Sequence, residues 1–363
     1  MKRGCISTVI TVMSVIAIII AVIAIGFAIR CNVVPTGKFT VDEQISDNSY
    51  NNANLSSGEL VMLNDKLYYN FFGGDSEYQY GTYEIDSSGS RRVQWNGPSI
   101  NNPHLNSFEP YKGNLLMDEI TVTGSIHRFN PDTGSQEGFI NLKDAEQNKY
   151  QTFVIIDGRM YIFSDEKIFV SDDAVITKLV FDNLEDIAER DEKLLYIKDN
   201  YITYVSKDEH IKKYNFKTKK YVLNKKLTLD YGDAESLLDY INNVFIVEDK
   251  IMLNCGDEEK QIIYNITDNC KVVYSCDYKS SGRNPNDYVN VYKNKIYLLN
   301  TDNGLDVVDV DTGKVCNVVK SGVEEVYIFG DKWIYYNADY LAYSGGTLYR
   351  TTMDGRTTEK IFG

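Results

Sequence analysis

The chain has 363 residues, 43% hydrophobic and 25% charged, with a net charge of −14. Its 28 tyrosines and 15 phenylalanines supply material for a core, which excludes disorder throughout. Lys2, Arg3 and Arg30 stand in the first 30 positions without an acid, so residues 31–363 carry −17, a surface that argues against bulk nucleic-acid binding.

The first predicted element is apolar. Residues 4–29 contain no charge, and 7–29 are rich in Ile and Val. A helix of that length spans roughly 35 Å, enough to cross a bilayer core of about 30 Å. We therefore expect a cytoplasmic tip (1–6), a transmembrane helix (7–29), a polar linker (30–57) and a body (58–363). Lys2, Arg3 and the terminal amine favour a cytoplasmic N-terminus and place the body outside the cell, in a single-pass membrane protein. A cleaved signal peptide is the alternative. The apolar run is longer than a signal core, but Gly26 and Ala28 form a small-x-small pair. Arg30 before Cys31 argues against a lipoprotein. The linker is rich in Asn, Ser, Asp and Thr and reads as a flexible tether with a mean span of roughly 30 Å.

The body is a repeat. Seven turns recur at Asn64-Asp65, Lys112-Gly113, Asp157-Gly158, Lys198-Asp199, Glu248-Asp249, Lys293-Asn294 and Gly330-Asp331. Most use residues that tolerate positive φ. Their spacing averages about 44 residues, near the period of a four-stranded propeller blade. A strand rich in Tyr, Ile and Leu follows each turn and ends in Asn, Asp or Ser: Asn70, Asp118, Ser164, Ser206, Asn254, Asn300 and Asn337. These are expected to stop the strand by bonding their own backbone. Third strands follow at 81–85, 125–129, 167–170, 210–216, 261–266, 305–310 and 347–352, then a second turn and a more polar fourth strand. The expected fold is all-β: a seven-bladed β-propeller of four-stranded blades, with six or eight blades as alternatives. A pair of β-sandwiches fits the regular spacing less well. Residues 232–243 are expected to hold a short inserted helix.

Residues 54–70 read NLSSGELVMLNDKLYYN, and 330–355 read GDKWIYYNADYLAYSGGTLYRTTMDG. This pattern resembles the "prolow-density lipoprotein receptor-related protein-like" β-propeller domain of Gram-positive cell-surface proteins. The match is sharp in the first and last units and looser between 90 and 290. The resemblance implies a propeller fold and a surface location. It implies no catalytic residue.

Catalytic patterns are scarce. The three histidines, His104, His127 and His210, lack zinc-site spacing, and no H-E-x-x-H or G-x-S-x-G occurs. His127 and His210 are expected to pack on third strands. No cofactor and no metal is expected. Asp75 with Glu77, and Asp257, Glu258 and Glu259, are the acidic groups from which a glycosidase pair would be drawn, although solvated loop charge accounts for them as well. Asp306, Asp309 and Asp311 resemble a calcium loop only in composition, because Asp311-Thr312-Gly313 reads as a turn. Cys255 and Cys270 are a candidate cross-hairpin pair, with buried free thiols as the default. The candidate ligand-binding residues are Asp75, Tyr78, Tyr80, Trp95 and Asn96, aromatics beside short polar side chains as in sugar sites. The loops 70–80, 96–109, 254–260, 300–303 and 337–346 are expected to gather at one end of the channel. The expected role is non-catalytic recognition or scaffolding, for an envelope protein or glycan and not for nucleic acid. The alternative is a carbohydrate-active enzyme with carboxylates at the channel mouth.

Overall fold

The computed structural model describes residues 37–42, 60–71, 81–93, 108–118, 125–141, 150–156, 158–164, 167–171, 178–187, 194–230, 236–256, 260–277, 289–300, 302–338 and 347–363. The expected transmembrane segment, 7–29, lies outside them. Among the described residues no helix is long and apolar enough to cross a membrane.

The described residues form seven four-stranded antiparallel sheets, each contiguous in sequence. Blade 1 holds β1 (Leu60–Leu63), β2 (Lys66–Phe71), β3 (Gly81–Asp86) and β4 (Gly89–Arg92). Blade 2 holds β5 (Phe108–Tyr111), β6 (Asn114–Asp118), β7 (Ser125–Phe129) and β8 (Gln136–Asn141). Blade 3 holds β9 (Tyr150–Ile156), β10 (Arg159–Ser164), β11 (Ile168–Ser171) and β12 (Lys178–Phe181). Blade 4 holds β13 (Leu195–Lys198), β14 (Tyr201–Val205), β15 (His210–Asn215) and β16 (Lys220–Lys226). Blade 5 holds β17 (Ile241–Val247), β18 (Lys250–Gly256), β19 (Lys260–Asn265) and β20 (Lys271–Asp277). Blade 6 holds β21 (Val289–Tyr292), β22 (Lys295–Leu299), β23 (Leu305–Asp309) and β24 (Val315–Val319). Blade 7 holds β25 (Val323–Tyr327), β26 (Trp333–Ala338), β27 (Thr347–Thr352) and β28 (Thr358–Phe362). The expected inserted helix is α1 (Leu237–Tyr240), capped by Ser236 Oγ, which accepts from the Asp239 amide.

The first strands are innermost: β1 packs on β5, β5 on β9, β13 on β17 and β17 on β21. Burial falls outward through each blade. All of β26 is buried, whereas β16 is exposed along nearly its whole length. Inner strands are covered on both faces by neighbouring blades, so they read as continuous apolar runs instead of alternating. Aromatic residues fill the junctions. Tyr161 and Phe181 of blade 3 meet Phe216 and Tyr204 of blade 4, and Phe362 of blade 7 packs between Tyr69 and Tyr83 of blade 1.

Five of the seven turns lie where the sequence places them. In blade 4 the turn is Asp199-Asn200, one residue later, because Lys198 pairs with Tyr201. In blade 7 the connection runs from Ile328 to Lys332 and is no two-residue turn. Ile328 is drawn into the core shared with blade 6, and Phe329 into the one shared with blade 1. Asn64 and Asp65 both take positive φ, as expected. Glu248 also does, at 56°, where a side chain is strained by roughly 1–2 kcal/mol. Glu248→Gly is expected to stabilise the fold by about 0.5 kcal/mol, since the exposed Glu248 side chain gives up only a 3.6 Å surface ion pair with Lys250, while the carbonyl still accepts from Lys198 Nζ. A denaturant midpoint that stays put or falls would show the turn to be unstrained.

A regular set of polar staples joins the blades at the turn end. In blades 1, 3 and 5 the first residue of the second strand reaches into the following unit. Lys66 Nζ pairs with Asp132 of blade 2 at 3.3 Å, Arg159 donates to Asn200 of blade 4 at 3.1 Å, and Lys250 pairs with Asp311 of blade 6 at 2.9 Å. In blade 7 Lys332 stands just before β26, and its partner is Asp42.

Asp42 belongs to a segment expected to be tether. Residues 37–42 instead dock between blades 7 and 1. Gly37 bridges Phe362, the Lys38 amide donates to Ile361 O at 3.0 Å, and the Phe39 amide donates to Asp86 O at 2.9 Å. Gly37 also donates to Ser90 Oγ. Phe39 is buried against Tyr335, and Arg350 stacks over Trp333 and Phe39 while donating to Thr40 O. Trp333 Nε1 donates to Asp42 at 2.8 Å. Burial works to raise the Asp42 pKa, but the bonds from Lys332 and Trp333 and the Arg350 charge outweigh it and hold the carboxyl below its usual range. Each blade is a closed unit of sequence, so no strand is shared between the first and last blades. This segment closes the ring instead.

Candidate functional site

The five candidate ligand residues, Asp75, Tyr78, Tyr80, Trp95 and Asn96, lie outside the described residues, as do Glu77, His104, Asp257, Glu258 and Glu259. Their positions in the chain are informative. Asp75, Tyr78 and Tyr80 fall between β2 and β3, and Trp95 and Asn96 between β4 and β5. Both connections leave blade 1 at the end opposite the tight turns. The feet of the connections at that end are described in blades 4, 5, 6, 7 and 1, and the last four of these form the arc considered next.

These feet carry polar side chains that run from buried (Asn70, Asn254, Asn337) through half-buried (Asn300, Asp306) to exposed (Asn317). In blade 5, Asn254 Oδ1 accepts from Gln261 Nε2 at 2.9 Å, and Asn243 stands opposite Asn254. In blade 6, Asp306 accepts from Asn300 Nδ2 at 2.9 Å, from Asn317 Nδ2 at 2.8 Å and from the hydroxyl of Tyr274 in blade 5 at 3.2 Å. In blade 7, Tyr327 donates its hydroxyl to Glu325, which stands opposite Asn337. In blade 1, Thr82 Oγ1 donates to Asn70 Oδ1 at 3.4 Å. The strand-end asparagines therefore differ from expectation. Asn70, Asn254 and Asn337 lie inside their strands and are buried, because the sheet continues past them, and the amides of Asn70 and Asn254 serve cross-strand pairs. Asn300 does act as expected, accepting from the amides of Asp302 and Gly304.

Glu325 is the carboxyl of this arc with a displaced pKa. Burial pushes its carboxyl above the usual range, and the Tyr327 hydroxyl works the other way. A carboxyl whose pKa is raised on folding binds its proton more tightly in the native state. Its favourable contribution is complete below the unfolded value of about 4.3 and is lost as pH rises through the folded one. Glu325→Gln, which keeps an acceptor for Tyr327, is expected to raise the melting temperature at pH 7.5 and to change it little at pH 4.5. An equal shift at both pH values would show that the charge is not the cause.

The remaining candidates have structural partners. His127 Nδ1 contacts Gln136 Nε2 at 2.8 Å, and His210 Nδ1 contacts Asn224 Oδ1 at 2.6 Å. Asp309 accepts from the amide and hydroxyl of Thr312, which is the hairpin expected there. Cys255, Cys270, Cys276 and Cys316 are free thiols, so Cys255 and Cys270 are not bridged. Burial pushes the Cys255 thiol pKa up, the pattern of an unreactive core residue. Among the described residues no group of three or more His, Cys, Asp or Glu is placed to hold a metal ion. A cation follows five of the seven turns in the sequence, and that pattern is the local sign of the staples. Lys66, Arg159, Lys250 and Lys332 are aligned in the repeat, and their shared role is inter-blade stapling.

No family model matches the chain, and no curated protein does. Among solved structures it is similar to the computationally designed Ika8 protein, at 12% identity over 89% of this chain and 90% of that one, with a TM-score of 0.48. It is also similar to PorZ, described as an essential surface component of the type-IX secretion system of Porphyromonas gingivalis. That match has 10% identity and a TM-score of 0.49 over 89% of this chain and 39% of PorZ. BamB from Moraxella catarrhalis is 11% identical over 89% of each chain, with a TM-score of 0.40. The seven-blade assignment rests on the strand pairing itself.

Proposed function

We propose that the chain is a membrane-anchored propeller whose body lies outside the cell and recognises a protein or envelope glycan without chemistry. The observation that carries this reading is the polar arc of blades 5, 6, 7 and 1. Amides and hydroxyls are held there by cross-strand hydrogen bonds, at the same end of the ring from which the connections carrying Tyr78, Tyr80 and Trp95 leave blade 1. Such groups both donate and accept, which suits hydroxyl-rich or amide-rich ligands. Anchoring is supported by the apolar run 7–29. The docking of Gly37 leaves seven residues, 30–36, between that run and the body. They span at most about 25 Å, so an anchored propeller stands close to the bilayer. Membership of the Gram-positive surface-propeller family remains part of this proposal and rests on the motifs at 54–70 and 330–355.

The test is capture by residues 37–363, which keep the closing segment, against solubilised envelope proteins and a glycan array in parallel. Selective capture that weakens on Trp95→Ala or Tyr78→Ala is expected. Capture of neither class by a folded body would overturn the reading, and turnover of a captured glycan would replace it with the enzyme alternative. Orientation has its own test. An impermeant thiol reagent on intact cells is expected to label exposed Cys316. Labelling at Cys316 only after lysis would place the body inside.

A further inference from the structure

The hairpin of β15 and β16 breaks the charge pattern of the chain. Residues 210–226 hold seven lysines (Lys212, Lys213, Lys217, Lys219, Lys220, Lys225 and Lys226) and no acid, in a chain of −14, so all other residues together sum to −21. The corresponding outer hairpins of the other six blades lie between −2 and +1. Three of the seven are engaged within the blade. Lys212 pairs with Asp186 and Asp208, Lys226 pairs with Glu209, and Lys213 lies over the Tyr201 ring. Lys217, Lys219, Lys220 and Lys225 are exposed.

The patch is shaped as well as charged. Asn215 Oδ1 accepts from the amides of Lys217 and Thr218, and the Lys219 amide closes on Asn215 O, so the tip that carries Lys217, Lys219 and Lys220 is locally fixed. The register slips between Lys213 and Tyr214, leaving Val222 as the extra residue of a β-bulge. The bulge turns Val222 outward, and it is 57% exposed beside Tyr221 at 45%. Tyr221 is held in place by Tyr204, whose hydroxyl lies 3.0 Å away. The result is an apolar centre between two lysine clusters about 15–17 Å apart. That is the layout of a protein-binding patch, with an apolar core and a charged rim.

Neither edge protection nor membrane contact accounts for the patch as well. Lysines and bulges protect edge strands from pairing. Protection does not require them in this number, since β24 is also an outermost strand and has no lysine. An anionic membrane surface does not fit the connectivity. In a seven-membered ring blade 4 lies diametrically opposite the junction of blades 7 and 1, where the chain enters. An anchored propeller therefore holds this edge on the rim farthest from its attachment.

We infer that the outer edge of blade 4 docks an acidic segment of a partner protein, with carboxylates on the two lysine clusters and an apolar side chain against Tyr221 and Val222. The bulge interrupts the strand edge, so the segment is held by side chains instead of being added as a fifth strand. This deepens the recognition reading and rests on it, naming a second surface and the chemistry of its partner.

The test uses the full chain in neutral detergent micelles. The probe is a fluorescent peptide of roughly twelve residues, acidic at both ends with Phe-Leu at its centre. Saturable binding is expected, weakened at least about tenfold by K217E/K220E/K225E and about threefold or more by V222S. The control K271E/K320E/K360E makes the same charge change at exposed sites elsewhere and should bind as the unaltered chain does. Equal losses in both triple variants would overturn the proposal, because the general field would then be the cause. So would peptide binding no tighter than that of inorganic polyphosphate, or transfer of the chain's affinity to anionic vesicles. Absence of peptide binding overturns it too. If the K217E/K220E/K225E chain still captures an envelope ligand, the recognition reading survives that failure.

Discussion

Starting the chain at Gly58 instead of Gly37 is expected to lower stability by about 3–5 kcal/mol, because the ring then loses its closing segment. Burial of the Phe39 side chain contributes roughly 2–3 kcal/mol, and the bonds to Ile361, Asp86 and Ser90 and those centred on Asp42 about 1 kcal/mol each before the cost of ordering six residues. For a body of this size the melting temperature should fall by roughly 6–10 °C. Removal also uncovers the cluster of Tyr69, Tyr83, Tyr335 and Phe362, so the shortened body should bind a hydrophobic dye. A point variant separates docking from chain length. A Cβ at Gly37 would lie 2.0 Å from Ile361 O, against backbone that cannot yield cheaply. Gly37→Ala should therefore reproduce much of the loss, whereas Ser90→Ala, which removes one bond, should cost about 1 kcal/mol. Equal melting of the chains beginning at Gly37 and Gly58 would show that the blades close without the segment. Acid acts in the same direction. The Asp42 pKa is lowered in the fold, so its contribution is present above about pH 4 and is lost as pH falls through the lower folded value.

Glu84→Ala is the second large effect, expected at about 3 kcal/mol or more. The carboxylate of Glu84 is 3% exposed and has three partners. Arg91 donates from Nε at 3.0 Å and from a terminal nitrogen at 2.7 Å, Tyr68 donates its hydroxyl at 3.1 Å, and Lys66 Nζ lies 3.3 Å away. Removing it strands the buried Tyr68 hydroxyl and releases Lys66, which staples blade 1 to Asp132 of blade 2. Breaking one side of a buried pair costs about 3–5 kcal/mol, because the partners stay desolvated. Arg91 is half exposed, but Arg91→Ala leaves the buried Glu84 carboxylate with Tyr68 and Lys66 alone, so it should cost about 2 kcal/mol. Glu84→Gln, which keeps an acceptor for Tyr68, should fall between. Denaturant unfolding of the three variants and of the Glu84–Arg91 double variant checks the order. Equal costs for Glu84→Ala and Arg91→Ala would place the energy in the exposed ion pair instead of the buried network.

The sequence by itself determined the blade. Alternating and apolar runs, turn residues such as Asn64-Asp65 and Lys112-Gly113, and a period of about 44 are local properties, set by side-chain period and backbone sterics. They placed all seven second strands and the inserted helix. The short connection expected at Gly330-Asp331 failed because Ile328 and Phe329 answer to the neighbouring blades, which the local pattern does not contain. Three of the four strand-end asparagines, Asn70, Asn254 and Asn337, failed for a related reason. An Asn that bonds its own backbone and one that bonds Gln261 across a sheet look identical in the chain. Tertiary structure alone decided how the ring closes. Residues 37–42 sit in a short stretch that reads as tether although it holds Phe39 and Val41, and their value comes from blades 7 and 1, which are 290 or more residues away for Lys332 and Trp333. Tertiary structure also decided what the lysines mean. Lys66 and Lys250 become staples because a carboxylate of the next blade stands opposite, while Lys217, Lys220 and Lys225 face outward because β16 is the last strand of its sheet. Charge is written in the sequence, but its partner is assigned only when the chain folds.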